Sequence, residues 1–286
     1  MKTLMLIGYG AMANEVIQRL PAGIELGWIV AREHHHNDIK QRFQNRVIPL
    51  SCPTHASQKP DLILECASQH AVKQYAPMVL EKGWTLAVIS TGALADAQLA
   101  QTLSQKAQQH HAIFIPLSGA VAGLDGLRCA KEAAIRQVTY QSRKSPASWR
   151  NGPAENYIDL DTVTEPTVFF HGTAREAALK FPANANVAAT VALYGIGMDK
   201  TKVELMVDPT TKQNSHRIEV TGDFGHFCIE LNGNPLPSNP KTSLLSALSA
   251  VEICRRIADQ DAIIWLENSH EKTRYICRWT MATRAR

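Results

Sequence analysis

The sequence lacks the segments that place a protein in or across a membrane. No apolar run approaches the roughly 18 residues that a transmembrane helix needs. Its beginning carries neither a basic segment nor the small-residue cleavage site that marks a secretory leader. We therefore expect a cytoplasmic protein that has no membrane partner.

Cysteine is scarce, and its spacing argues against two kinds of site. No C-x-x-C pair occurs, and the six cysteines are Cys52, Cys66, Cys129, Cys228, Cys254 and Cys277. In a chain of 286 residues this scatter favours reduced thiols over a disulfide framework or a zinc site. The three consecutive histidines at 34–36 cannot easily converge on one ion, so we expect no metal centre.

Excess charge is confined to one end of the chain. The formal net charge is +4, and residues 271–286 account for all of it with five basic side chains and one acid. Such a tail could contact nucleic acid, but a solvated or oligomer-contacting terminus is the commoner arrangement. We expect no nucleic-acid partner. The composition, 45% hydrophobic and 20% charged, is that of a globular protein with one large or two ordinary domains.

The most informative segment that is present is a glycine turn after an apolar strand. Leu4–Ile7 has the composition of a buried strand. Gly8, Gly10 and Ala13 follow with the spacing of a dinucleotide-binding turn. Gly8 permits the tight turn, Gly10 lets the backbone approach a pyrophosphate, and Ala13 lets a helix pack closely on the strand. The start of that helix offers N–H groups and a partial positive charge to the phosphates.

The pattern of strands and helices changes near residue 117. Before it strands alternate with helices, which predicts an α/β fold with a doubly wound parallel sheet of the Rossmann type. The predicted strands there are Leu4–Ile7, Ile24–Val30, Leu62–Glu65, Thr85–Ile89 and Ile113–Pro116, and the predicted helices lie near Ala11–Leu20, Ala71–Lys82 and Ala95–His110. After it, runs such as KVELMVD and SHRIEVTG alternate apolar and polar residues, which predicts a second, mixed-sheet α+β domain for substrate binding and oligomerisation.

These patterns divide the chain into three predicted parts. A dinucleotide-binding domain is expected at residues 1–117, a substrate domain at 118–240, and a C-terminal helix with a basic tail at 241–286. Helices are predicted at Asn186–Leu193 and at Ser243–Ile257. The second of these has apolar residues spaced for one buried face.

The end of the second strand bears on which nucleotide is bound. Folds that bind NAD usually place an acid there, to accept hydrogen bonds from the ribose. In this chain Ala31, Arg32 and Glu33 follow the strand, and no acid occupies its tip. The Arg32 guanidinium could pair with a 2′-phosphate, although an exposed loop arginine or a ribose contact from Glu33 fits as well. We expect NADP to be accepted alongside NAD.

Three later segments carry residue types that a redox site for small molecules needs. Residues 116–127 are rich in small residues after a strand, which suits either a flat ring or a tightly packed turn. Asn184 and Asn186 lie at a helix start, where capping is the simpler explanation. His216 shares one strand face with Ile218 and Val220, so it is either a core histidine or a catalytic one.

Taken together, the motifs resemble the L-aspartate dehydrogenase family. They cover roughly residues 1–257 in family order, and they read GYGAMA, LECASQHAV, STGAL, SGAVAGLDGL, KFPANANVAATVAL, NSHRIEVTGDFG and NPKTSLLSALSAVE. The resemblance implies that Ala120 and Asn186 contact the dinucleotide and that His216 is the active-site residue. The residues expected at the cofactor are Gly8, Gly10, Ala11, Met12, Arg32, Ala67, Ala120 and Asn186.

The resemblance also implies a reaction. Family members oxidise L-aspartate with NAD(P) to iminoaspartate, which hydrolyses to oxaloacetate and ammonia or feeds NAD biosynthesis, and they catalyse the reverse reductive amination. A histidine can take a proton from the substrate ammonium or activate water. The substrate carboxylates need cationic or N–H partners, for which Lys180, Lys241 and Thr242 are candidates by residue type. We expect a homodimer or homotetramer.

Two other classes of protein are compatible with the same residues. One is another two-domain dehydrogenase, of the homoserine dehydrogenase or dihydrodipicolinate reductase type. The other is a regulatory protein that binds NAD(P) without catalysis. Turnover with L-aspartate separates both from the first hypothesis.

Overall fold

The computed structural model describes residues 1–182 and 184–259, with the backbone alone for Pro240 and Lys241. The basic tail at 271–286 lies outside the described residues. No helix within the described ranges combines the length and the hydropathy of a membrane span.

The first part of the chain forms a parallel sheet of six strands, which confirms the predicted doubly wound fold. The strands are β1 (Lys2–Ile7), β2 (Ile24–Val30), β3 (Ile48–Leu50), β4 (Leu62–Glu65), β5 (Thr85–Val88) and β6 (Ile113–Pro116), in the spatial order β3-β2-β1-β4-β5-β6. The helices between them are α1 (Ala11–Gln18), α2 (His36–Arg42), α3 (Gln69–Glu81) and α4 (Ala97–Gln109). All five predicted strands and all three predicted helices are present.

One strand and one helix in this part of the chain have no counterpart in the sequence prediction. The strand β3 has only three residues, and none of them is fully buried. The helix α2 buries Ile39 alone. Elements this short and exposed leave no apolar periodicity to read.

The order of the strands reverses between β1 and β4, and this reversal positions the site. These two strands are neighbours, and the chain leaves them on either side of a crevice at their carboxyl ends. Gly8 follows β1, and Cys66 and Ala67 follow β4 at the same edge. The glycine turn therefore opens into the place where such sheets bind ligands.

The second sheet is mixed, as the sequence predicts. Its strands are β7 (Ile135–Lys144), β8 (Thr167–Thr173), β9 (Lys202–Val207), β10 (Asn214–Gly222) and β11 (Gly225–Gly233), in the order β11-β10-β7-β9-β8. The pair β7–β9 is parallel and the other pairs are antiparallel. Helices α5 (Leu124–Ala130), α6 (Pro146–Trp149), α7 (Ala174–Lys180) and α8 (Asn186–Tyr194) accompany it.

The chain ends its described part with a hairpin and a long helix. The strands β12 (Pro235–Leu236) and β13 (Asn239–Ser243) pair and lead directly into α9 (Leu244–Asp259). The apolar face of α9, with Ala250 and Ile253, shares a buried cluster with Leu4 and Leu6 of β1. The polypeptide thus returns from the second sheet to the first.

The register of β7 against β10 selects the side chains that reach the site. His216 lies opposite Ser142, and Ile218 lies opposite Tyr140. Directly opposite residues share a face of the sheet, and this face is buried. The two-residue period adds Lys144, at the end of β7, to the same face.

Candidate functional site

One cavity of about 670 Å³ lies between the carboxyl ends of the first sheet and the buried face of the second. It brings together residues that the sequence analysis selected from distant segments. Those in its lining are Gly10, Ala11, Met12, Ala67, Ala120, Asn186, His216 and Thr242.

The other selected residues lie elsewhere. Gly8 lies behind the lining, where its N–H donates to the Val30 carbonyl. Arg32 is exposed beyond β2. Lys180 is exposed on α7, outside the lining, and its ammonium lies 5.5 Å from the centre of the Phe170 ring. The side chain of Lys241 lies outside the described residues.

The glycine turn has the shape that a pyrophosphate requires. Gly8 has a φ of +114°, and a Cβ there would come within 3.0 Å of the Ala67 Cβ. At Gly10 a Cβ would meet nothing within 4 Å, so the glycine leaves open space at the mouth of the cavity. No side chain caps the first turn of α1, which leaves its N–H groups available. The residues therefore fit a dinucleotide.

A buried carboxyl group holds the neighbouring loop in place. Glu65, at the end of β4, is fully buried and accepts hydrogen bonds from the Ala67 and Ser68 N–H groups, both at 2.8 Å. It also accepts from the N–H and the hydroxyl of Ser90 after β5. The pKa of Glu65 is raised overall, because burial raises it by more than these hydrogen bonds lower it. The contacts fix two of the loops that line the cavity.

Asn186 connects the two sheets rather than capping its own helix. Its side-chain oxygen accepts from the Gly92 N–H at 3.1 Å and from the Gln69 side chain at 3.2 Å. Its carbonyl oxygen accepts from the Thr91 hydroxyl at 2.8 Å. No side chain caps α8. Asn186 therefore positions the start of α8 against the loops after β4 and β5.

His216 lies almost completely buried on β10, with 2% of its surface exposed. Its Nδ1 is 2.8 Å from the Tyr140 hydroxyl on the adjacent strand, and the two rings are stacked. Among the described residues no protein group pairs with Nε2. Burial, with the charge of Lys144, lowers the pKa of His216 to about 3. The imidazole is therefore neutral at physiological pH in the free protein.

Lys144 is a buried lysine that the sequence analysis did not select. It lines the cavity, with 5% of its surface exposed, and burial lowers its pKa to about 8. Its ammonium lies 3.5 Å from the Asn184 side-chain oxygen and 5.4 Å from the centre of the Trp149 ring. No carboxylate in the described part of the chain forms an ion pair with it.

Two further lining residues were also missed. Asn214 and Ser243 are buried, and neither the Asn214 Nδ2 nor the Ser243 hydroxyl has a hydrogen-bond partner among the described residues. One signal for Lys144 was available. The alternation of RQVTYQSRK places it on the same strand face as Val138 and Tyr140. Asn214 and Ser243 gave no such signal, because their meeting depends on strand pairing.

Family models match both parts of the chain. Residues 8–116 match the model described as the NAD binding domain of homoserine dehydrogenase. Residues 125–257 match the model described as the C-terminal part of aspartate dehydrogenase.

Individual relatives give the same result over almost the whole chain. An L-aspartate dehydrogenase of Serratia proteamaculans is 60% identical over 259 residues, covering 91% of this chain and 98% of the relative. An Acinetobacter baumannii L-aspartate dehydrogenase is 51% identical, covering 89% and 97%. The crystal structure of aspartate dehydrogenase from Thermotoga maritima superposes with a TM-score of 0.70 at 25% identity, covering 93% and 100%. The chain therefore belongs to the L-aspartate dehydrogenase family.

Proposed function

We propose that this chain oxidises L-aspartate with NAD(P), and that His216 accepts the proton that leaves the substrate nitrogen. The product is iminoaspartate, which hydrolyses to oxaloacetate and ammonia. One observation carries the proposal. A neutral, buried histidine lines the same cavity as a glycine turn that fits a dinucleotide. The family models support the two halves of this assignment separately.

The residues proposed to hold the cofactor act mainly through the backbone. Gly10, Ala11 and Met12 would receive the phosphates at the start of α1, and Ala67, Ala120 and Asn186 would border the nicotinamide end. When bound, the nicotinamide supplies the hydride acceptor at its C4. The protein would hold the substrate Cα–H towards that side of the cavity.

His216 is suited to taking the proton because of the contacts on its other nitrogen. In the tautomer that donates from Nδ1 to the Tyr140 oxygen, the lone pair on Nε2 is free to accept a proton. The low pKa of His216 in the free protein reflects burial and the charge of Lys144. A bound dicarboxylate brings negative charge next to both groups, which raises the pKa of His216 when the proton has to be accepted.

Arg32 is proposed to bind the 2′-phosphate of NADP. It is the second residue after β2, its backbone is extended, and its side chain is exposed. The neighbouring His35, desolvation and the Arg32 charge, in that order, lower the pKa of His34. A phosphate would pair with the Arg32 guanidinium. Cytoplasmic location and assembly into a homodimer or homotetramer stay predictions.

The deciding experiment follows NAD(P)H formation with L-aspartate, and its consumption with oxaloacetate plus ammonia. We expect turnover in both directions. Turnover with homoserine or dihydrodipicolinate in place of L-aspartate would instead support the related dehydrogenases. Tight NAD(P) binding with no turnover on any of these would point to a regulatory protein.

A further inference from the structure

The wall of the cavity opposite the glycine turn carries a buried cation without an ion-pair partner and two buried donors without acceptors among the described residues. Lys144 has an amide oxygen and an aromatic ring as neighbours but no acid. Buried polar groups in proteins are nearly always paired, and buried charges are paired or bind a ligand. The lining of the cavity, within the described residues, contains no aspartate or glutamate that could serve.

Asn214 and Ser243 show the same deficiency. Asn214 is 2% exposed and Ser243 is 5% exposed. The Asn214 Nδ2 and the Ser243 hydroxyl are both without partners among the described residues. Only one other buried side-chain atom in that part of the chain, the Ser142 hydroxyl, has none. Two of these three residues, Ser142 and Asn214, lie on the strand face that bears His216, and the third, Ser243, lines the same cavity.

The three donors converge because of the strand register. Ser215 pairs with Arg143, and Asn214 and Lys144 are the next residue of each strand beyond this pair, both on the buried face. On its other side Asn214 pairs with Gly233 of β11. The Ser243 hydroxyl lies 3.1 Å from the point that a Cβ on Gly233 would occupy, and the Asn214 carbonyl oxygen lies 3.6 Å from it. Ser243 and Asn214 are thus close neighbours.

The start of α9 adds further hydrogen-bond donors and partial positive charge to the same wall. Ser243 immediately precedes this helix of 16 residues, and both Ser243 and Ser246 line the cavity. A helix N-terminus carries partial positive charge and N–H donors. One cation, one amide donor, one hydroxyl and a helix start suit a carboxylate, which accepts several hydrogen bonds and carries one negative charge.

We propose that Lys144, Asn214 and Ser243 form the subsite that binds a carboxylate of the substrate. Lys144 and Asn214 lie on the same sheet face as His216, and Ser243 lines the same cavity, so the subsite fixes the substrate with its amino group near that histidine. The identity of the substrate as L-aspartate rests on the function proposed above. The carboxylate subsite itself does not, because it can be tested with a dicarboxylate that cannot react.

The test measures the binding of succinate to the NAD-loaded protein by calorimetry. Lys144→Met removes the charge and keeps the length of the side chain. Asn214→Asp replaces the amide donor with a repelling oxygen at nearly the same shape. We expect each variant to raise the Kd of succinate at least tenfold, with Ser243→Ala raising it less, while the Kd of NAD changes less than twofold.

Matched controls come from the same sheet. Lys202 is an exposed lysine on β9, and Asn232 lies on β11, where it accepts from the Ser215 hydroxyl. Lys202→Met and Asn232→Asp should leave succinate binding as in the wild type. Circular dichroism establishes that each variant is folded, and Asn214→Asp and Ser243→Ala keep the proposal testable if Lys144→Met does not fold.

Two results would overturn the subsite. One is succinate binding within twofold of the wild type in folded Lys144→Met and Asn214→Asp. The other is an equal loss of NAD affinity, which would place these residues at the cofactor. If succinate binding depends on Lys144 but L-aspartate is not turned over, the subsite stands and the proposed substrate falls. In active protein, Ser243→Ala should raise KM for L-aspartate more than it lowers kcat.

Discussion

The two walls of the cavity recognise their ligands by different means. The wall formed by the first sheet presents small residues and backbone N–H groups around Gly10 and the start of α1. The wall formed by the second sheet presents long polar side chains, among them Lys144 and His216, on a buried strand face. One wall is made of main chain and the other of side chains.

This difference has an energetic consequence. The N–H groups of the first wall face open space, where solvent can satisfy them, because nothing lies within 4 Å of a Cβ placed on Gly10. The donors of the second wall are buried, and an unsatisfied buried donor costs about 1–3 kcal/mol. Since the substrate wall carries a destabilising cost in the free protein, a ligand there should stabilise the fold. The cofactor wall should be nearly neutral for stability.

The largest effect should come from the side-chain wall. Replacing His216 by Gln removes the proton acceptor while keeping a polar group of similar size, so kcat should fall by about 10²–10⁴. The Kd of NAD should change little, because the dinucleotide is held by the other wall. Stopped-flow turnover and fluorescence titration of NADH measure the two quantities. A kcat within fivefold of the wild type would remove His216 from the chemistry.

The main-chain wall should respond in the opposite way. Gly10→Val would fill the open space in front of the turn, so we expect the Kd of NAD and of NADP to rise together by about 10²-fold. The melting temperature should change little, since a Cβ there meets nothing. Gly8→Val is the contrasting variant. Its φ of +114° and its contacts at 3.0 Å predict a loss of stability as well. Unchanged nucleotide affinity in Gly10→Val would contradict the assignment of the glycine turn to the pyrophosphate.

How much the sequence predicts follows the same division. A main-chain wall must be built from a few adjacent glycines and a helix start, so Gly8, Gly10 and the first sheet could be predicted from local spacing. Short exposed elements such as β3 and α2 could not, because they bury almost nothing periodic.

The side-chain wall is non-local, and most of it was missed. Lys144 and Asn214 lie 70 positions apart in the numbering and meet only through the β7–β10 register. A one-residue shift would send both to the other face. His216 was assigned to the active site through family resemblance, since strand periodicity alone left it either a core histidine or a catalytic one. Lys180 was selected by residue type alone, because local sequence does not show which side chains meet in the fold. The structure places it outside the cavity lining.

A smaller effect concerns stability. The fall in the pKa of Lys144 from 10.5 to about 8 corresponds to a cost of about 3 kcal/mol at neutral pH. Lys144→Met should therefore stabilise the ligand-free protein by about 1–3 kcal/mol at pH 7, measured by urea unfolding.

The pH dependence of the free energy of unfolding tests the sign of this effect. Between pH 8 and 10.5 the unfolded chain holds the proton of Lys144 and the folded chain releases it. Wild-type stability therefore gains a rising contribution through that window, and the advantage of Lys144→Met should shrink. Lys202→Met, at an exposed position, should stay within about 0.5 kcal/mol of the wild type at pH 7 and throughout that window. A Lys144→Met protein that is less stable than the wild type at pH 7 would show that the lysine is better compensated than its contacts indicate.

The smallest effect should come from Arg32, a side chain at the rim of the main-chain wall that is proposed to take part in nucleotide recognition. Arg32→Ala should lower kcat/KM with NADP about tenfold and leave kcat/KM with NAD nearly unchanged, because only NADP carries the 2′-phosphate. Arg46, another exposed arginine in the same half of the molecule, supplies the control Arg46→Ala. Raising the salt concentration should weaken NADP binding in the wild type and in Arg46→Ala, but much less in Arg32→Ala, since salt screens an exposed ion pair. An NADP-to-NAD ratio that is the same in all three proteins would show that the main-chain wall binds both nucleotides without help from Arg32.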